Sequence, residues 1–177
     1  MPTWIALLRG IGGGIRPLPM KELVVALQGI GLQDVRTYIQ SGNVVFASRK
    51  SAPQLARLIE ACVQENFGLQ SPTFVLSVAA LARAAAGNPF PQAEREPKSL
   101  HLFFLAQPAT APKLDAMHEL KKPSEQFVLD NQVFYLYAPE GFGTSKLPER
   151  VERLLGVRTT ARNWRTIGKL LQLAKQT

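Results

Sequence analysis

Two segments near the ends of the chain concentrate groups suited to holding an anion. The first is Leu8-Arg9-Gly10-Ile11-Gly12-Gly13-Gly14-Ile15-Arg16, and the second is Thr159-Thr160-Ala161-Arg162-Asn163-Trp164-Arg165-Thr166. Glycines let backbone N–H groups approach a ligand closely, and the start of a helix adds oriented donors and partial positive charge. Arg162 can form paired bonds to a carboxylate or phosphate, Asn163 both donates and accepts, and Trp164 offers a flat face. The same residues have ordinary structural explanations. The glycines suit a tight strand-to-helix turn, Asn163 suits the N-cap of a last helix, and Trp164 suits a core anchor.

A second glycine loop, Gly141-Phe142-Gly143-Thr144-Ser145-Lys146-Leu147-Pro148-Glu149, precedes another helical pattern. Ser145 or Thr144 can cap that helix, and Pro148 is acceptable in its first turn. Capping does not explain Lys146, since a cation at a helix N-terminus opposes the helix dipole. Gly143, Ser145 and Lys146 therefore form a further candidate anion site. The turn Gln40-Ser41-Gly42-Asn43 is good turn chemistry whose polar side chains also stand at a strand end, where sites form. The candidate ligand-binding set is thus Arg9, Gly10, Gly14, Gln40, Ser41, Asn43, Ser145, Lys146, Arg162, Asn163 and Trp164.

Some chemistries have no support. The first loop does not satisfy the dinucleotide or Walker patterns, because Ile15 stands where a glycine is needed and Pro17 and Pro19 separate the loop from the next helix. His101 and His118 are far apart and lack matching carboxylate or cysteine spacing, so neither a metal site nor a Ser-His-Asp triad is expected, and no cofactor is called for. Cys62, the only cysteine, lies in a helical pattern with Leu58, Ile59 and Val63 and reads as a buried thiol. The apolar start Met1–Leu8 is too short for a signal or membrane segment, so a cytoplasmic protein without membrane contact is expected.

The elements that must position these residues follow from periodicity. The expected order is strand Thr3 to Arg9, helix Met20 to Gly29, strand Val35 to Gln40, strand Val44 to Ser48, helix Pro53 to Asn66 and strand Thr73 to Ser77. After a short helix Val78 to Ala86 and a proline-rich connection come strand Leu100 to Leu105, helix Pro112 to Glu119, strand Gln126 to Leu129 and strand Val133 to Tyr137. Helix Leu147 to Leu155, an extended piece Val157 to Thr160 and helix Trp164 to Ala174 complete the chain. Each half reads β-α-β-β-α-β, the order of a ferredoxin-like unit with an antiparallel sheet. An α+β chain is expected, with residues 1–87 as one half, 99–177 as the other with its terminal helix, and 88–98 connecting them in one compact body.

Of 177 residues, 21 are basic and 13 acidic, giving a net charge of +8. Residues 1–50 contribute +4, 51–140 contribute −2 and 141–177 contribute +6, so the excess coincides with the motifs. A basic face would favour anionic partners, whether metabolites or nucleic acid. Scattered solubilising arginines explain the count equally well.

Four runs carry a family resemblance: Ala6–Ile11, Val35–Phe46, Gly143–Leu147 and Ala161–Thr166. Together they resemble the bacterial domain-of-unknown-function family 1697, over almost the whole chain and in the family's order. The resemblance implies two ferredoxin-like halves and no established activity, substrate or cofactor. The family usually reads Arg-Gly-Ile-Asn-Val-Gly-Gly in the first loop, whereas Gly12 stands here for the asparagine and Gly13 for the valine. Four functions stay open at this point. One is a module binding a small phosphorylated or carboxylated ligand in a cleft between the halves. The second is an enzyme on a phosphorylated metabolite, with Lys146 and Arg162 stabilising charge. The third is a nucleic-acid-binding protein, although no recognition motif is present. The fourth is a purely structural or partner-binding role, since oligomer interfaces leave no signature in the sequence.

Overall fold

The computed structural model describes residues 1–11 and 18–177. Gly14, with Gly12, Gly13 and Arg16 of the first loop, lies outside the described residues. By its contacts the chain divides into one unit of Met1–Arg83 with Gly168–Thr177 and a second of Ala84–Ile167.

The first unit contains β1 (Thr3–Leu8), α1 (Met20–Gly29), β2 (Gln33–Tyr38), β3 (Asn43–Ala47), α2 (Ala52–Phe67) and β4 (Thr73–Ser77). Its sheet runs β2-β3-β1-β4, with every pairing antiparallel. Alternation along β1 sends Ala6 and Leu8 to one core with Val44 and Phe46, where they meet Leu23 and Leu27 of α1 and Leu55, Ile59 and Val63 of α2. The four-residue spacing of those helical leucines is the period that builds a single apolar stripe. Ser51 opens α2, its backbone N–H donating to Gln54 Oε1 at 3.0 Å, and Gly68 closes it with a φ of 67°. Val44, Val45 and Phe46 are all fully buried. This explains why β3 alternates so poorly in sequence: both of its faces are covered.

The second unit holds β5 (Leu100–Leu105), α4 (Leu114–Leu120), β6 (Gln126–Asp130), β7 (Val133–Tyr137), α5 (Val151–Leu155) and β8 (Thr159–Asn163). Its sheet runs β6-β7-β5-β8, again antiparallel, so it repeats the strand order of the first. Phe103, Phe134 and Leu136 form its core with Met117, Leu147, Val151 and Leu155. The rings of Phe103 and Phe134 meet edge to face, with centroids 5.6 Å apart. α3 (Val78–Ala86) and α6 (Trp164–Ala174) are the two helices in which the chain passes from one unit to the other. The two ferredoxin-like halves and the terminal helix expected from the sequence are both present.

Among the expected elements that differ in their bounds, two carry candidate residues of the C-terminal third. The helix expected from Leu147 begins at Val151, because Leu147–Arg150 is a turn closed by the Arg150 and Val151 N–H groups on the Leu147 carbonyl at 2.8 and 2.9 Å. Lys146 therefore does not stand at a helix N-terminus, and its conflict with a helix dipole disappears. The extended piece expected to end at Thr160 is β8, which continues to Asn163 because Arg162 and Asn163 pair with Leu102 and His101 of β5.

Candidate functional site

In the second unit the start of β5 and the ends of β7 and β8 lie at one end of the sheet, since Leu100 pairs with Tyr137 and His101 with Asn163. The segments that leave those strand ends wall a pocket of about 520 Å³. Glu96, Lys98 and Ser99 come from the approach to β5, Pro139 to Gly143 from the loop after β7, and Asn163 from the end of β8. Its volume falls within the ~300–1,000 Å³ common for small-molecule sites.

Hydrogen bonds hold this wall in place. Ser99 donates through its N–H and its hydroxyl to the Glu96 carbonyl at 2.8 and 2.7 Å, and Ala138 N–H donates to Ser99 O at 2.8 Å. Ser124 donates its hydroxyl proton to the Glu140 carboxylate. Gly141 has a φ of 110°, a backbone position that only glycine adopts freely, and it turns the loop so that Phe142 follows. Phe142 stacks on His101 with ring centroids 3.6 Å apart and planes 18° from parallel.

His101 is the unusual residue of the wall. Its Nδ1 is buried and makes no hydrogen bond, and burial pushes the imidazole down to about 4, so the ring is neutral at pH 7. Asn163 pairs with it across the sheet and therefore shares its face. Asn163 Oδ1 accepts from Thr166 N–H at 2.9 Å, the N-cap bond of α6. That cap occupies the oxygen and leaves the Nδ2 protons outside it. The pocket thus combines two carboxylates, one ammonium, a neutral imidazole and an amide beside a stacked pair of rings.

Of the residues singled out in sequence, Asn163 lines this pocket, as does Gly143 of the second glycine loop. Arg162 is its neighbour on β8 but belongs to the opposite face, paired with Leu102. Its Nη1 donates to Thr160 Oγ1 at 2.9 Å and to the Ala161 carbonyl at 2.8 Å, and burial lowers its pKa to about 10. Ser145 Oγ accepts from Leu147 N–H at 3.2 Å, Lys146 is exposed, and Trp164 opens α6 half-buried.

The remaining candidates are in the first unit. Arg9 N–H donates to the Pro72 carbonyl at 2.9 Å, its carbonyl accepts from Ser71 Oγ at 2.7 Å, and Gly10 follows with a φ of 75°. Gln40 is exposed and Ser41 half-buried in the turn between β2 and β3. Asn43 is fully buried, its Nδ2 donating to the Tyr38 carbonyl at 3.2 Å. Sequence reasoning missed Glu96, Lys98, Glu140 and His101 as site residues. The available signal was the lone histidine in the apolar run Leu100-His101-Leu102-Phe103-Phe104-Leu105, together with an aromatic residue set between two glycines.

Among the described residues there is no cluster of histidine, cysteine, aspartate and glutamate able to hold a metal ion, and no helix is long and apolar enough to cross a membrane. No curated protein matches the chain. Among solved structures, the conserved bacterial protein SP0830 from Streptococcus pneumoniae is similar, with a TM-score of 0.74 and 23% identity over 98% of each chain. At that identity the likeness establishes the fold. The model of the family described as protein of unknown function, DUF1697, matches residues 1–135, and the chain belongs to that family.

Proposed function

We propose that the protein is a binding module for a small carboxylated or phosphorylated ligand, with the ligand's anionic group held in the pocket of the second unit. One observation supports this most. Gly143 and Asn163, picked out separately in sequence as anion-binding candidates, line the same 520 Å³ pocket, and Lys98 joins them. An ammonium and an amide donor suit a carboxylate or a phosphate, and the glycine loop supplies backbone at close range. The groups present favour binding over turnover. His101 is a neutral and poor acid at pH 7, and neither Lys146 nor Arg162 lines this pocket.

A thermal-shift screen with organic acids, amino acids and sugar phosphates tests the reading. Stabilisation of the wild type that Lys98→Ala abolishes is the expected result. A wild-type protein that none of these compounds stabilises would overturn it.

A further inference from the structure

The pocket wall carries both signs of charge. Glu96 and Glu140 face one cation, Lys98, so the lining charges sum to −1. A phosphate there can use Lys98 and Asn163 but leaves both glutamates unmatched, as does one carboxylate alone. A molecule bearing an ammonium next to a carboxylate satisfies the whole set. Glu140, fixed by the Ser124 hydroxyl, suits the ammonium, while Lys98 and the Asn163 amide suit the carboxylate.

One further feature narrows the class. His101 lines this wall with its Nδ1 buried and without a hydrogen bond, so that edge of the ring is closed to a ligand. The His101–Phe142 stack offers flat aromatic surface beside the charged groups, which favours a planar side chain on the ligand.

We propose that the pocket of the second unit takes a free α-amino acid with a planar side chain, its ammonium held by Glu140 and Glu96, its carboxylate by Lys98 and Asn163, and its ring against Phe142. This rests on the small-ligand reading above and specifies the ligand. A peptide fits less well, because its terminal ammonium lacks the adjacent carboxylate that Lys98 would pair.

Three probes of one skeleton separate the contributions: L-phenylalanine, 3-phenylpropanoate, which lacks the ammonium, and 2-phenylethylamine, which lacks the carboxylate. Inorganic phosphate is the fourth. Binding to the full-length protein is followed by calorimetry and by the imidazole nitrogen resonances of His101. The expected result is that L-phenylalanine binds and shifts those resonances, while each truncated probe binds at least about tenfold weaker, since loss of one charge-assisted contact commonly costs that much. Glu140→Gln should weaken L-phenylalanine and 2-phenylethylamine without weakening 3-phenylpropanoate, and Lys98→Met should do the converse. Equal binding of L-phenylalanine and 3-phenylpropanoate would overturn the amino-acid assignment and leave the anion site standing. Binding of phosphate without L-phenylalanine would do the same. Failure of all four probes at millimolar concentration would overturn both.

Discussion

Leu8 and Gly42 are in such close contact that the glycine cannot be replaced without moving the sheet. The Leu8 N–H donates to the Gly42 carbonyl at 2.8 Å, and a Cβ on Gly42 would stand 2.7 Å from the Leu8 carbonyl oxygen and 2.8 Å from its Cβ. Gly42 also has a φ of 69°, which costs other residues roughly 1–2 kcal/mol before any clash. Gly42→Ala should therefore destabilise the protein by about 2–4 kcal/mol, the strain adding to backbone overpacking. Urea denaturation reads the change directly, and a loss below about 1 kcal/mol would show that the turn relaxes.

Burial of His101 makes stability depend on pH. Its pKa falls from 6.5 to about 4 on folding, so between those values the unfolded chain binds a proton that the folded chain refuses. Stability from this group is fully present above the unfolded value, falls as the pH drops towards 4, and levels off below it. The loss across that window is on the order of 3 kcal/mol. His101→Phe keeps a flat ring against Phe142 and removes the titration, so its urea midpoint should gain on the wild type between pH 7 and pH 4.5. Parallel pH profiles for the two proteins would contradict this account.

Tyr135 is almost wholly buried, and its hydroxyl donates to the Ala84 carbonyl at 2.7 Å. Burial also raises its pKa, which keeps the phenol protonated and the bond intact in alkaline solution. Tyr135→Phe leaves the ring in place and strands a carbonyl. The expected cost is about 1–2 kcal/mol in chemical denaturation, with a native circular-dichroism spectrum. An unchanged midpoint would mean that the Ala84 carbonyl finds another donor.

Cys62 should resist thiol reagents while the protein is folded. The thiol is buried in the α2 core, and burial together with the nearby Glu65 raises its pKa, so little thiolate is present near neutrality. Labelling by a disulfide reagent should be slow in buffer and rapid in denaturant. Immediate stoichiometric labelling of the native protein would show that α2 opens readily.

Much of the architecture is legible in the sequence because its signals are local. The strand runs, the leucine spacing of α1 and the punctuation at Ser51 and Gly68 each depend on a few neighbouring residues. What is not legible depends on partners distant in the chain. The expected strand to Gln40 stops at Tyr38 because Ile39 adopts a φ of 49°, a conformation no local rule assigns to a β-branched residue. Arg162 and Asn163 read as one cluster until pairing with β5 extends the strand through both and sends them to opposite faces. The pocket is assembled from three strand ends, so Lys98, His101 and Glu140 share no spacing that a linear reading could detect. His101 was legible as an oddity, but a single histidine without a metal or triad pattern offers no chemistry until its neighbours are known.

The first unit is discontinuous, and this bears on the order in which a growing polypeptide can finish folding. Ala84–Ile167 is one uninterrupted stretch that contains every strand of its own sheet. The first unit is begun earlier yet completed later, because Gly168–Thr177 belongs to it and follows the second unit in the chain. The bonds from Arg36 to the side chain and carbonyl of Gln176, at 3.1 and 2.9 Å, tie β2 to this later segment and cannot form before it is made. A chain cut before Gly168 would therefore keep the whole second unit beside an unfinished first one, the kind of partly assembled species that chaperones recognise.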